Sequence, residues 1–244
     1  MIFPPNAAAQ TLDFEFAALA EAKNYRAALL RDFGPFLHGS VLEVGCGIGQ
    51  ISSELLKIPE IHRLLSIEPD AAFCAQLHSR LPNHELLQGT VADLNSDSSW
   101  NAILSINVLE HIERDVEELS TYHRLLRSSK GALCLFVPAR PELHAPIDSD
   151  FGHFRRYTRP ELTRKLRDAG FTIANLRYYN FVGYLLWWLN FCVLEKRSFN
   201  VAAVRLFDRA IFPLTHGFET HICSPPIGQS LMAVAFAQTS LDLR

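Results

Sequence analysis

Between residues 41 and 139 the chain alternates short, β-rich apolar runs with segments of helical spacing, and the first run ends in alternating glycines: Val41-Leu-Glu-Val-Gly45-Cys-Gly47-Ile-Gly49. Such alternation is the pattern of a parallel sheet with crossover helices. Glycines at a strand-to-helix turn let the backbone approach a ligand closely, and the next helix start points free N–H groups at it. The spacing predicts strands at Val41–Gly45, Leu64–Glu68, Glu85–Thr90, Ala102–Ile106 and Ala132–Val137. Helices are predicted at 50–57, 71–81 and 116–127, the last with Val116, Leu119, Tyr122 and Leu126 on one face. Phe14–Phe36 reads as one or two helices ahead of the sheet.

After the fifth strand the alternation stops. A Pro-rich loop from Arg140 to Tyr157 precedes Thr158-Arg-Pro-Glu161, a capping box that should open a helix to about Ala169. Gly170 can end that helix in a left-handed conformation. Strands follow at Phe171–Tyr179 and Leu231–Phe236, separated by about fifty residues rich in aromatics that a seven-stranded sheet does not need. The expected class is α/β: a Rossmann-like, mostly parallel seven-stranded sheet with helices on both faces and a helical, aromatic-rich insert before the last strand. The expected organisation is one domain over 1–244, with N-terminal helices at 10–40, the core at 41–180, the insert or lid at 181–228 and the last strand at 229–240.

A chain of 244 residues, 48% hydrophobic and 20% charged, has a globular composition. Its 23 basic and 26 acidic residues leave a net charge of −3, with no overall field to hold a nucleic-acid backbone. Residues 141–244 carry 12 bases against 9 acids, an excess concentrated between Arg155 and Arg167. Five scattered cysteines suggest neither a zinc site nor a disulfide framework. The N-terminus lacks the features of a secretory signal. The longest apolar stretch, Phe181–Leu194, is shorter than the roughly 20 residues a bilayer span needs. A cytoplasmic protein is expected.

On its glycines alone the turn would suit a dinucleotide, and a nicotinamide-dependent dehydrogenase is one reading. Against it stand Gln50, where the third fingerprint glycine is expected, and Glu43, whose carboxylate would repel a pyrophosphate. The same carboxylate would attract a ligand carrying an ammonium and a sulfonium, as S-adenosylmethionine does. Glu68 ends the second strand, where a carboxylate can accept hydrogen bonds from ribose hydroxyls.

The chain resembles the class I S-adenosylmethionine-dependent methyltransferases. The resemblance is carried by Glu43-Val-Gly45-Cys-Gly47-Ile-Gly49, Ile67-Glu68-Pro69, Asn107-Val-Leu-Glu110-His111-Ile112 and Val137-Pro138-Ala139. Gly152-His153-Phe-Arg155-Arg156-Tyr157-Thr158 is similar to a loop of a bacterial subgroup. It implies an antiparallel last strand and a cofactor at the carboxyl ends of strands one to four. Glu43, Gly45, Gly47, Gly49, Glu68, Pro69 and Asn107 would form the cofactor site. Family members often hold the adenine amino group with an acid after the third strand; here Thr90 stands there, and Asp93 or a backbone carbonyl would substitute.

Methyl transfer needs alignment above all, and a base only when the acceptor arrives protonated. His111 and His153 are the candidate bases, with positioning and loop ordering as their alternatives. Asp148, Asp150 and His153 could also be read as metal ligands, although no metal is expected. Arg155, Arg156 and Tyr157 would contact substrate, or the arginines would pin the loop. Tyr184, Trp187 and Trp188 would wall an apolar pocket if the insert is a lid; a homodimer interface and a peripheral membrane contact are the other readings of the insert. The expected activity is methylation of a small or medium-sized, largely apolar acceptor, with oxygen favoured. A non-catalytic cofactor-binding scaffold is the alternative.

Overall fold

The computed structural model describes residues 20–95 and 98–237. The apolar runs form β1 (Gly39–Val44), β2 (Ile61–Glu68), β3 (Glu85–Gln88), β4 (Ala102–Ile106), β5 (Ala132–Pro138), β6 (Phe171–Tyr179) and β7 (Ser230–Ala237). They make one seven-stranded sheet in the order β3-β2-β1-β4-β5-β7-β6. The pairs β1·β2, β1·β4, β2·β3 and β4·β5 are parallel. The Ala139 N–H donates to the Gln229 carbonyl beyond one end of β5, and the Ala237 N–H donates to the Gly131 carbonyl beyond the other. β7 therefore runs against β5. β4 and β5 are buried nearly throughout, as expected of central strands, whereas the edge strand β3 has no buried residue.

The chain leaves β1 toward β2 and β3 on one side and returns through β4 on the other. Ligands of open α/β sheets bind at such a reversal, beyond the carboxyl ends of the strands.

The helices are α1 (Lys23–Phe33), α2 (Ser52–Leu55), α3 (Ala71–Arg80), α4 (Asp115–Arg127), α5 (Pro146–Asp150), α6 (Arg159–Asp168), α7 (Phe181–Trp187), α8 (Val201–Leu206) and α9 (Phe212–His221). Of the predicted helix at 14–36, the part before residue 20 lies outside the described residues. α4 buries Leu119, Tyr122, Leu125 and Leu126, while Val116 is only half-buried. Its first turn carries three acids and its last turn Arg124 and Arg127, matching the helix dipole. Gly170 has φ +94°, the left-handed stop its position predicts. The stretch 140–157 is not a plain loop: it holds a 3-10 turn at Pro141–Leu143 and α5. Pro141 and Pro146 each lie in a first turn, where a missing N–H costs nothing, so here proline starts helices.

By compactness the described residues fall into two units. Residues 31–137, 159–176 and 232–237 form a sheet unit; residues 20–30, 138–158 and 177–231 form a second unit. In the second, Asp208 accepts from the N–H groups of Asn24 and Tyr25, and the Trp187 indole donates to the Leu143 carbonyl. Among the described residues, no helix is long and apolar enough to cross a membrane.

Candidate active site

β1 hands the chain to a turn through Gly45, Gly47 and Gly49, whose φ values are +71°, +53° and +80°. Glycine is required at two of these points by the protein itself. A Cβ on Gly45 would lie 2.3 Å from Val108 Cγ2, and one on Gly49 would lie 2.8 Å from Leu77 Cγ.

Glu68 ends β2 with its carboxylate held by backbone on both sides. Oε2 accepts from the Gly47 N–H at 2.8 Å, and Oε1 accepts from the Asp70 N–H at 3.0 Å. Pro69, between them, is exposed. Asp70 caps α3 by accepting from the Ala72 and Phe73 N–H groups. The buried Glu68 is thus fixed against the glycine turn, and burial raises its pKa above the ordinary carboxylate value. A carboxylate oxygen has a second lone pair, so both oxygens keep capacity for a ligand hydroxyl.

Glu43 is also buried rather than solvated at the strand end. Oε2 accepts from the hydroxyls of Ser52 and Ser66, each at 2.6 Å, and Ser66 lies 2.7 Å from His84 Nε2. Burial pushes the Glu43 carboxyl up to about 7 against the lowering effect of the two serines, and the nearby Glu68 adds to the rise. Sequence reasoning missed both serines. The available signal was Ser66 itself, a hydroxyl within the apolar run of β2 and directly opposite Glu43 in the strand register. Burial, and then the charges of Glu43 and Glu68, push the Cys46 thiol up, and these two carboxylates give the turn its negative charge. That field suits a cation and opposes a pyrophosphate.

The other predicted cofactor residues are placed unequally. Asn107 follows β4, exposed, with φ +52° and its N–H donated to the Phe136 carbonyl. His111 is half-buried at the end of the 3-10 turn Leu109–His111. Asp93 turns back on its own loop: Oδ2 accepts from the Thr90 N–H at 2.8 Å and its hydroxyl at 3.1 Å, forming a capping box.

In the second unit, the loop after β5 is organised by Asp148, whose side chain is fully buried. Oδ1 lies 2.9 Å from His153 Nδ1 and accepts from Arg156 Nε at 2.9 Å, while Oδ2 accepts from the Ala145 N–H. Burial alone would raise the Asp148 carboxyl, but His153, the Arg156 charge and the Ala145 amide together hold it below its ordinary value. Arg156 also donates to the Ala139 carbonyl and lies 4.4 Å from the Trp187 ring centroid. Its guanidinium therefore pins the loop from inside. The metal reading of Asp148, Asp150 and His153 fails on the same geometry: Arg156 sits on Asp148 and Arg197 on Asp150, so each carboxylate already holds a fixed cation.

Tyr157 is buried and bridges to Ala139, and Arg155 is half-buried. Trp187 belongs to a core cluster with Leu143, Ala145, Ile147, Phe151 and Phe191, against which Tyr184 packs. Trp188 is 48% exposed.

Residues 41–129 match a family model described as a methyltransferase domain. No curated protein matches the chain. The fold is similar to a putative methyltransferase solved with the Haloferax volcanii Trm112 activator: 15% identity, TM-score 0.64, covering 98% of this chain and 100% of that one. It is also similar to a putative methyltransferase from Bacillus halodurans, at 16% identity, TM-score 0.59 and coverage of 88% and 99%. A third neighbour is the mycolic acid cyclopropane synthase CmaA1 complexed with SAH and CTAB, at 14% identity, TM-score 0.57 and coverage of 86% and 83%. The cofactor that such a domain implies is S-adenosylmethionine, and the residues fit it: an electronegative glycine turn for its cationic part and a backbone-fixed Glu68 for its ribose.

Proposed function

We propose that the protein is an S-adenosylmethionine-dependent methyltransferase acting in the cytoplasm on a small or medium-sized, largely apolar acceptor, with oxygen as the preferred nucleophile. The observation that carries this reading is the pairing of Glu43 and Glu68 around a glycine turn, in a stretch matched by the methyltransferase domain model. Nicotinamide chemistry is disfavoured by the same pair. When bound, S-adenosylmethionine supplies a methyl group on a sulfonium, and its transfer is an in-line displacement.

Glu68 would accept from the ribose hydroxyls while Gly47 and Asp70 keep its orientation fixed. Glu43 would face the methionine ammonium, and Asn107 and the Pro69 backbone would line the same rim. Asp93, with Oδ2 committed to Thr90, has Oδ1 for the adenine amino group; the backbone nearby can serve equally. His153 would be the base, its ring oriented by Asp148 Oδ1, 2.9 Å from Nδ1. His111 would position the acceptor. Arg155 and Tyr184 would be polar contacts of the acceptor, with Arg156, Tyr157 and Trp187 supporting them from the core, whereas Trp188 is 48% exposed and is left out of that role. An apolar acceptor accords with the third neighbour, whose complex contains a cationic detergent.

The test is calorimetric binding of S-adenosylhomocysteine, followed by transfer of labelled methyl groups to a panel of apolar alcohols, phenols and carboxylic acids. Binding with turnover on an oxygen acceptor supports the reading. Binding without turnover on any class of acceptor would move the function to a cofactor-binding scaffold, and binding of a nicotinamide cofactor instead would overturn the assignment.

A further inference from the structure

Between β6 and β7, the π-helical turn Phe207–Ile211 and α9 carry polar side chains on their inward face. Across α8, the π-helical turn Phe207–Ile211 and α9, the inward stripe at helical spacing is Asp208, Phe212, His216 and Glu219, all buried. The outward stripe is Leu206, Ile211, Leu214 and Phe218, exposed by 64, 39, 76 and 51%, with Ile222, 73% exposed, just past the end of α9. A helix that packs against its own protein normally has the opposite arrangement.

α7 and the π-helical turn Trp188–Val193 repeat the anomaly differently. Their inward face, Gly183, Trp187 and Phe191, is buried, yet Leu185, Trp188, Leu189 and Val193 are each exposed by 45% or more on the outward face. The two helical stretches are tied together, since the Glu219 carboxylate accepts from the Asn180 and Phe181 N–H groups at the start of α7. Scattered exposed apolar residues need no explanation, but an outward-facing set on linked helices marks a surface with a partner.

The charges indicate which partner. Residues 181–222 contain the bases Lys196, Arg197, Arg205 and Arg209, all exposed, and the acids Glu195, Asp208 and Glu219. Asp208 and Glu219 are turned inward onto backbone N–H groups, so within this segment four cations face outward against one carboxylate, and once two of them are paired from outside the segment Lys196 and Arg209 remain against Glu195. Arg197 is held by Asp150 and Arg205 by Glu21. The Arg205 hydrogen bonds, with the charges of Arg205, Arg209 and Lys23, hold the Glu21 carboxyl below its ordinary value. Apolar side chains with tryptophan on one side and cations around them are the signature of helices lying flat in a membrane interface.

We infer that the outward face of residues 181–222 docks on the surface of an anionic phospholipid bilayer. A second copy of the chain suits the face less well, because a two-fold contact would set the same cations against themselves. Lipid tails accept any apolar relief, and anionic headgroups neutralise the cations.

The test uses the full chain and vesicle flotation, comparing phosphatidylcholine vesicles with vesicles containing about 30% phosphatidylglycerol. Binding is expected to the anionic vesicles, and to weaken sharply at about 1 M salt, where the screening length falls to about 3 Å. Leu214→Gln combined with Phe218→Gln should lower partitioning by about tenfold or more; both side chains are over half exposed, so folding does not rest on them. Arg209→Gln should lower binding by about fivefold on anionic vesicles only. Trp100 and Trp187 are buried, so a vesicle-induced blue shift of tryptophan emission should vanish in Trp188→Phe. Failure to bind anionic vesicles overturns the inference, as does binding indifferent to Leu214→Gln with Phe218→Gln. If vesicles fail and sedimentation shows a dimer that the same double variant dissolves, the face belongs to a second copy.

Discussion

The Ser66 hydroxyl on β2 donates to Glu43 Oε2 on β1 across 2.6 Å, between strands in register at those two residues. Ser52 donates to the same oxygen. Ser66 also lies 2.7 Å from His84 Nε2, which extends the polar cluster to the next ring. Two neutral hydroxyls are a modest replacement for water around a buried carboxylate, so the ligand-free site holds Glu43 in a state that a cation would relieve.

One consequence is a stability that depends on pH. An acid whose pKa rises on folding, here from 4.5 to about 7, is more protonated in the folded protein, so folding is favoured at low pH and weakens as pH rises through that window. The penalty at pH 8 is on the order of 2–4 kcal/mol. Glu43→Gln should therefore stabilise the ligand-free protein at pH 8 by about that amount and hardly at all near pH 4. Denaturant unfolding across this range checks it, and a pH-independent difference between the two proteins would remove Glu43 as the cause.

The same group should link cofactor binding to protons. A cationic ligand lowers the Glu43 pKa, so affinity should rise from pH 6 to pH 8, with protons released on binding below about pH 7. Calorimetry in buffers of different ionisation enthalpy measures the release directly. Glu43→Gln should abolish the pH dependence and weaken binding at pH 8.

Glu68 makes a separable contribution, because its two oxygens already order the turn through Gly47 and Asp70. Charge-assisted hydrogen bonds contribute roughly 1.5–3 kcal/mol, so Glu68→Ala should weaken S-adenosylhomocysteine binding by about 10- to 150-fold. Unchanged affinity in the folded variant would place the ribose elsewhere.

The strands were legible because their signals are local. β4 and β6 fall on the predicted residues, and the left-handed stop at Gly170 needs only a glycine after a periodic run. The glycine turn and its two carboxylates were legible for the same reason. What was hidden depends on partners distant in sequence. Asp208 reaches back to Asn24 and Tyr25, drawing the chain start and the insert into one unit, and no periodicity encodes that pairing. Arg156 reads in the sequence as a substrate contact or a loop-pinning arginine, and its partners in that loop, Asp148 and Trp187, emerge only in the fold. The inverted helix was hidden by composition: its apolar residues were visible, but which stripe faces inward is set by Asp208 and Glu219 finding backbone donors.

Asp148 is expected to be the stability-determining member of its loop. Removing its charge with Asp148→Asn leaves the buried Arg156 uncompensated, at a cost of about 3–5 kcal/mol. Since its carboxyl is held low in the folded protein, this stabilisation is full above the ordinary carboxylate range and disappears as pH falls through the folded value. His153→Ala should instead lower turnover by about 10²–10⁴ and leave cofactor affinity intact. A loss of stability with unaltered turnover would make His153 a loop-ordering residue and leave His111 to be tested in the same way.

Gly45 and Val108 should be energetically coupled. Alanine at 45 must adopt φ +71°, a backbone cost of roughly 1–2 kcal/mol, and its Cβ would stand 2.3 Å from Val108 Cγ2, an overlap that overpacking studies put at roughly 1–3 kcal/mol. Val108→Ala removes the obstructing methyl groups without altering the backbone strain. In a double-mutant cycle by chemical denaturation, Gly45→Ala should therefore cost about 2–5 kcal/mol alone and be partly rescued by Val108→Ala, with a coupling of about 1–3 kcal/mol. The residual loss measures the backbone term, which no second-site change at 108 can recover. Strict additivity would mean that the turn moves aside from Val108, and the glycine would then be required by its conformation alone.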